Sequence, residues 1–161
     1  MREIKIEKIV LNIGGTGDSL EKGFKLLKIV SEKTPMKTKS RKRIPTWSVR
    51  PGLEVGAVVT LRRGFEELLK KLLAAEENKM KKKQVSVNNF SFGIKDYLEI
   101  PGMEYKREIG IMGLDVTIVF KRTGRRVGIR KIKRGKIPQR QTIKKEEIIK
   151  FMEEKFNTEF I

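Results

Sequence analysis

The sequence contains no cysteine and no histidine. The first absence excludes disulfides and thiolate nucleophiles, the second excludes imidazole general bases, and together they remove the usual zinc ligands. No uninterrupted apolar run approaches the roughly 20 residues needed to cross a bilayer. The first residues alternate charged and apolar (Arg2, Glu3, Ile4, Lys5, Ile6), which is not the pattern of a secretory signal. Acid is scarce as well: 20 Asp and Glu stand against 38 Lys and Arg. These features lead us to expect a cytoplasmic protein with no cofactor, no metal and no membrane partner.

What is abundant is positive charge. The formal net charge is +18 and the isoelectric point about 10.2. Self-repulsion of that size opposes compactness, whereas a protein lying against phosphates benefits, because each neutralised phosphate releases condensed counterions. A Lys/Glu-rich thermophile surface would balance its signs, and these signs do not balance. They also separate along the chain. Seven basic residues and no acid lie from Lys33 to Leu53, and twelve basic residues and no acid from Val116 to Lys145. The acids gather at Glu66, Glu67, Glu76, Glu77, Glu146, Glu147, Glu153 and Glu154. Long acid-free runs in a basic chain are the footprint of a nucleic-acid binder.

Periodicity supplies the fold class. Residues 2–13 end in a β-branched and apolar stretch that predicts a strand. Asp18, with Glu21 three residues later, predicts a capped helix whose apolar face is Leu20, Phe24, Leu27 and Val30, stopped by Pro35. Residues 36–50 are predicted as a basic loop around Pro45 and Trp47. Val55 to Leu61 predicts a strand, and Gly64 to about Asn78 a helix. Val85 to Phe92 predicts an irregular strand, and residues 93–113 a long glycine-rich loop. Leu114, Val116, Ile118 and Phe120 alternate cleanly with polar or smaller residues, and Thr123-Gly124 predicts a hairpin turn into Arg125–Arg130. Thr142 is the predicted cap of a last helix with Ile148, Ile149, Met152 and Phe156 inward. The order predicts one α+β domain over 1–161: a mainly antiparallel sheet with helices on one face and the other open. Six like charges from Lys37 to Arg50, with Pro45, Pro51 and Gly52, predict a mobile loop near 40–52.

Few residues suggest other chemistry. Gly14-Gly15-Thr16-Gly17 follows a strand and precedes a helix, a place where phosphate can be cradled. No Gly-Lys-Ser/Thr follows, and a flexible turn accounts for it as well. Asp96, Glu99, Glu104, Glu108 and Asp115 have no acid/base or metal spacing, so no catalytic residue is expected. Trp47, inside a basic segment, suits either base stacking or an ordinary loop anchor, and the residues alone leave both open.

Three segments carry a further pattern. They are Lys8-Ile9-Val10-Leu11-Asn12-Ile13-Gly14; the stretch from Thr34-Pro35 through Thr38, Arg41-Lys42 and Ile44 to Arg50, Gly52, Gly56 and Val59-Thr60-Leu61-Arg62; and Asn89-Phe90-Ser91-Phe92-Gly93-Ile94 with Ile100-Pro101-Gly102, Glu108-Ile109-Gly110-Ile111-Met112-Gly113-Leu114-Asp115 and Arg126-Val127. Together they resemble the archaeal form of large-subunit ribosomal protein five, the 5S rRNA-binding family. The resemblance implies a concave sheet that holds 5S rRNA in the large subunit without enzymatic activity. It implies RNA contacts from Asn12, Trp47 and Thr60. Trp47 stands where the family usually has Phe, and Lys33 where it often has Gln. With them, Lys33, Lys37, Lys39, Arg62, Arg126 and Arg130 are the candidate RNA contacts. The resemblance further implies that Arg41, Lys42, Arg43 and Arg50 reach toward P-site tRNA and that residues 94–112 meet small-subunit ribosomal protein thirteen. The expected partners also include 23S-type rRNA and the neighbouring 5S-binding ribosomal protein eighteen. The alternative from charge alone is a free nucleic-acid chaperone or compaction protein without a fixed site.

Overall fold

The structure is a computed structural model that describes residues 2–161. The chain runs β1 (Ile4–Gly14), α1 (Asp18–Ser31), β2 (Met36–Lys39), β3 (Glu54–Leu61), α2 (Glu66–Ala75), β4 (Lys79–Met80), β5 (Val85–Ser86), β6 (Asn89–Ile94), β7 (Leu114–Arg122), α3 (Arg126–Ile129), α4 (Lys145–Phe156) and β8 (Glu159–Phe160). Six strands form one sheet in the order β2-β3-β1-β7-β6-β5, and every neighbouring pair is antiparallel. β4 and β8 form a small parallel pair outside it.

Strand alternation sorts the side chains onto two faces. Ile9, Leu11 and Ile13 of β1, Ala57, Val59 and Leu61 of β3, Val116, Ile118 and Phe120 of β7, and Phe90, Phe92 and Ile94 of β6 are buried together. Onto this face pack Leu20, Leu26, Leu27 and Val30 of α1, Leu69, Leu72 and Leu73 of α2, and Ile148 and Met152 of α4. One apolar core therefore lies between sheet and helices. On the opposite face Val10, Asn12, Val58, Thr60, Ser91, Thr117 and Val119 remain half-buried or exposed. The α+β architecture read from the sequence is the one observed.

Several local expectations are corrected. Residues 125–130 do not return as a strand; they form α3. Both edges of β7 are already occupied, by β1 and β6, so no pairing position is left for a hairpin partner. Val85 to Phe92 is not one irregular strand but a hairpin, with Asn88 at the turn at φ 63°. The Asn88 side chain accepts a hydrogen bond from the Ile143 backbone N–H at 2.8 Å, which ties this turn to the approach to α4. The capping box of α1 does not form: Gly17 is the cap, Asp18 is the first helical residue, and Glu21 pairs elsewhere. α4 begins after Lys144, not Thr142, and the Glu147 carboxylate accepts from the Lys144 N–H at 3.0 Å. Phe24 is only half-buried, while Leu26 takes the deeper position. The basic segment contains the short strand β2, followed by a narrow loop in which Ile44 and Val49 exchange backbone hydrogen bonds of 2.9 and 3.0 Å.

Candidate nucleic-acid interface

The open sheet face is short on charge at its centre. Register places its residues in rows across the strands. One row is Val58, Asn12, Asp115 and Gly93; the next is Thr60, Val10, Thr117 and Ser91. Ser91 and Thr117 hydroxyls hydrogen-bond each other at 3.0 Å. Small hydroxyl, amide and β-branched groups make a shallow, hydrogen-bonding surface.

The positive charge sits at the two ends of this face. β1 and β3 are antiparallel, so the turn from β2 to β3, with its basic loop, lies where β1 ends and β7 begins. The loop following β6 lies at the same end. The second acid-free run leaves β7 at the opposite end, beside the start of β1. Eleven residues of β1 at about 3.3 Å per residue separate the ends by roughly 30 Å.

The structure therefore distributes the candidate contacts. Asn12 and Thr60 lie on the open face, one row apart. Arg41, Lys42, Arg43, Trp47 and Arg50 are exposed in the loop at one end, with Lys39 leading into it. Trp47 is 73% exposed, in a short 3-10 turn, and belongs to no core cluster. Arg126 and Arg130 are exposed at the other end; the Arg130 Nε donates to the Lys133 carbonyl at 2.6 Å. Arg62 is exposed just beyond β3, and Lys33 just after α1. None of these cations has an acidic partner among the described residues.

Lys37 is placed differently. It pairs in register with the buried Ala57, so it belongs to the helix side of β2. Its ammonium pairs with Glu21 of α1 and, at 3.4 Å, with Glu54, and lies 5.7 Å from the Phe24 ring centre. The hydrogen bond to Glu21 is the main cause that raises its pKa above the ordinary lysine value, against a smaller opposing effect of desolvation. Lys37 thus clips the edge strand to α1. Lys37→Ala is expected to lower the melting temperature slightly, as for the loss of an exposed ion pair, and to leave RNA affinity within about twofold, since its ammonium is already held by Glu21 and Glu54. A large affinity loss with unchanged melting would return Lys37 to the binding surface. Arg122 and Arg125 are likewise engaged, with Glu147 at 2.6 Å and Glu7 at 2.9 Å. Arg122, followed by the Lys144 N–H, holds the Glu147 carboxyl below the usual carboxylate range.

The remaining candidates fall into structural places. Asp96 caps the 3-10 turn at 97–99 by accepting from the Leu98 N–H at 3.1 Å, and Glu108 pairs with Lys25 at 3.0 Å. In the glycine turn, Gly17 adopts φ 57° and the Gly15 N–H donates to the Val55 carbonyl. Ser91, Thr117 and Asp115 enter the open face without having been singled out for it. The alternation in β6 and β7 was the signal that would have found them.

Comparison with known proteins matches the sequence that builds this open sheet and its cationic ends. The family model described as "Ribosomal protein L5" matches residues 1–50, and the model for the C-terminus of the same ribosomal family matches residues 54–157. The large ribosomal subunit protein uL5 of Nanoarchaeum equitans is 42% identical, covering 100% of this chain and 98% of the relative. That of Sulfolobus acidocaldarius is 41% identical over 98% of this chain and 90% of the relative. That of Methanoregula boonei is 32% identical over 99% of each. Both halves of the chain and its full-length relatives agree, and the chain belongs to the ribosomal protein L5 family, whose members are structural and non-enzymatic parts of the ribosome.

Proposed function

We propose that this protein is a structural constituent of the large subunit of the cytoplasmic ribosome, that it binds 5S rRNA, and that it helps attach that RNA in the central protuberance. The observation that carries this reading is the sparsely charged, hydrogen-bonding sheet face held between two cationic ends whose exposed charges are not spent on acids among the described residues. Irregular RNA is recognised by shape, stacking and 2′-hydroxyl contacts, which such a face offers without a reactive group. Phosphate contacts at the ends position the RNA, and the centre reads it. The second rRNA expected is of the 23S type.

The loop with Arg41, Lys42, Arg43 and Arg50 projects beyond the sheet and is the part suited to P-site tRNA. It loosens when no RNA is bound, since it carries few buried groups of its own. Residues 94–112 present Leu98, Tyr105 and Ile111 to solvent, the last 78% exposed, which suits a protein neighbour such as small-subunit ribosomal protein thirteen. Ribosomal protein eighteen would share the 5S rRNA. The competing reading is a nucleic-acid chaperone with no fixed site.

Two measurements test the proposal. Full-length protein competed between 5S rRNA and bulk RNA is expected to retain 5S rRNA; equal binding of both favours the chaperone. Trp47→Ala is expected to cost on the order of 1–3 kcal/mol of RNA affinity with an almost unchanged melting temperature. Earlier melting with normal binding of the folded fraction would make Trp47 a loop anchor and remove it from the interface.

A further inference from the structure

One residue of the open face has the wrong charge for a surface that simply attracts phosphate. Asp115 is exposed near the start of β7, in register with Asn12 on one side and Gly93 on the other. No Lys or Arg among the described residues pairs with it. In a chain of net charge +18, the face thus keeps a free carboxylate close to the end that carries the basic loop. The half-buried Asn12 side chain beside it has no hydrogen bond among the described residues either.

Glycines clear the space around this pair. A Cβ at Gly93 would stand 3.2 Å from the Asp115 Oδ1, and one at Gly56 3.8 Å from the Asn12 Oδ1 and 3.0 Å from the Thr38 hydroxyl. Gly14 adds no side chain at the end of β1. The carboxylate and the carboxamide therefore stand side by side in a shallow clearing, both with hydrogen-bonding capacity unused.

Their combined pattern is specific. An ionised carboxylate offers two acceptor oxygens and no donor, and a carboxamide offers both kinds of group. A phosphate oxygen is repelled by the carboxylate. A guanine presents two adjacent donors, N1–H and the N2 amino group, beside one acceptor, O6. Asp115 can take both donors while the Asn12 amide donates to O6. Adenine, cytosine and uracil each lack the adjacent donor pair. Unpaired bases in RNA loops are read on this edge. Resting on the assignment of the open face to RNA, we infer that Asp115, with Asn12, receives the Watson–Crick edge of one unpaired guanine and so determines sequence on the open face beside the basic loop.

The sign of an electrostatic effect separates the two cases. Removing an acid from a surface that merely faces phosphate strengthens binding; removing an acceptor that a base uses weakens it. Binding of full-length protein to a 5S rRNA transcript is measured at fixed salt for wild type, Asp115→Ala, Asp115→Asn, Asn12→Ala and Thr60→Ala, with melting curves to establish folding. Both Asp115 variants are expected to lose affinity on the order of tenfold or more, as for loss of a bidentate base contact. Replacing single loop guanines by inosine, which lacks the N2 amino group, is expected to weaken wild type at one position and to leave Asp115→Ala indifferent there. Equal or tighter binding by Asp115→Ala, together with losses for Asn12→Ala and Thr60→Ala, overturns this inference and leaves the RNA assignment standing. Unchanged binding by all four variants overturns both. The inosine comparison on wild-type protein decides the matter even where a variant folds poorly: indifference to every inosine is a negative result.

Discussion

Binding of 5S rRNA is expected to weaken steeply as salt is added, with a slope of roughly −3.5 to −4.5 in log K against log salt for about five phosphate contacts. The structure says which cations are available for those contacts. Lys33, Lys39, Arg41, Lys42, Arg43 and Arg50 of the first basic run are exposed without acidic partners among the described residues, as are Arg126, Arg130, Lys131, Lys133, Arg134, Lys136 and Arg140 of the second. Lys37, Arg122 and Arg125 are already paired with Glu21, Glu147 and Glu7 and release fewer counterions. Replacing Arg41, Lys42 and Arg43 together by Gln should flatten the slope, and so should replacing Arg126, Arg130 and Lys131. Each end contributes separately, because the two lie far apart across the sheet. Lys37→Gln should leave the slope alone. A wild-type slope near zero would contradict the electrostatic account of binding, and a flattening confined to one end would remove the other from the interface.

Phe120→Ala is expected to cost about 3–5 kcal/mol of folding stability, a large share of the roughly 5–15 kcal/mol that holds a small domain together. Phe120 is fully buried on β7, and its ring meets that of Phe151 edge-on, with centroids 5.7 Å apart at 80°. Truncation leaves a cavity between sheet and α4 at a position that is fully buried. Phe24→Ala is expected to cost clearly less, because Phe24 is half-buried at the rim, close to Lys37. Chemical unfolding of both variants checks the ranking, and equal losses would show that the rim is as tightly packed as the centre. The folded fraction of Phe120→Ala should still bind RNA, since the truncated ring lies on the opposite side of the sheet from the open face.

The sequence by itself determined the class of the molecule. Strand periodicity in 114–121 and helical periodicity in 20–30, 65–73 and 148–156 are properties of neighbouring residues, so the α+β order was legible without coordinates. Net charge and its clustering were equally legible, because they are sums along the chain. The tertiary structure decided everything that depends on which strands become neighbours. It barred residues 125–130 from the sheet, because β1 and β6 had already taken both edges of β7. It turned Lys37 toward Glu21, sixteen residues away in the chain but next to it across the edge of the sheet. It set the two basic runs at opposite ends of one face, and it placed Asp115 beside Asn12 on that face. Local patterns fix which face a side chain shares with its own strand; only pairing over long sequence distances, where loop closure is offset by burial of the common core, fixes what stands beside it.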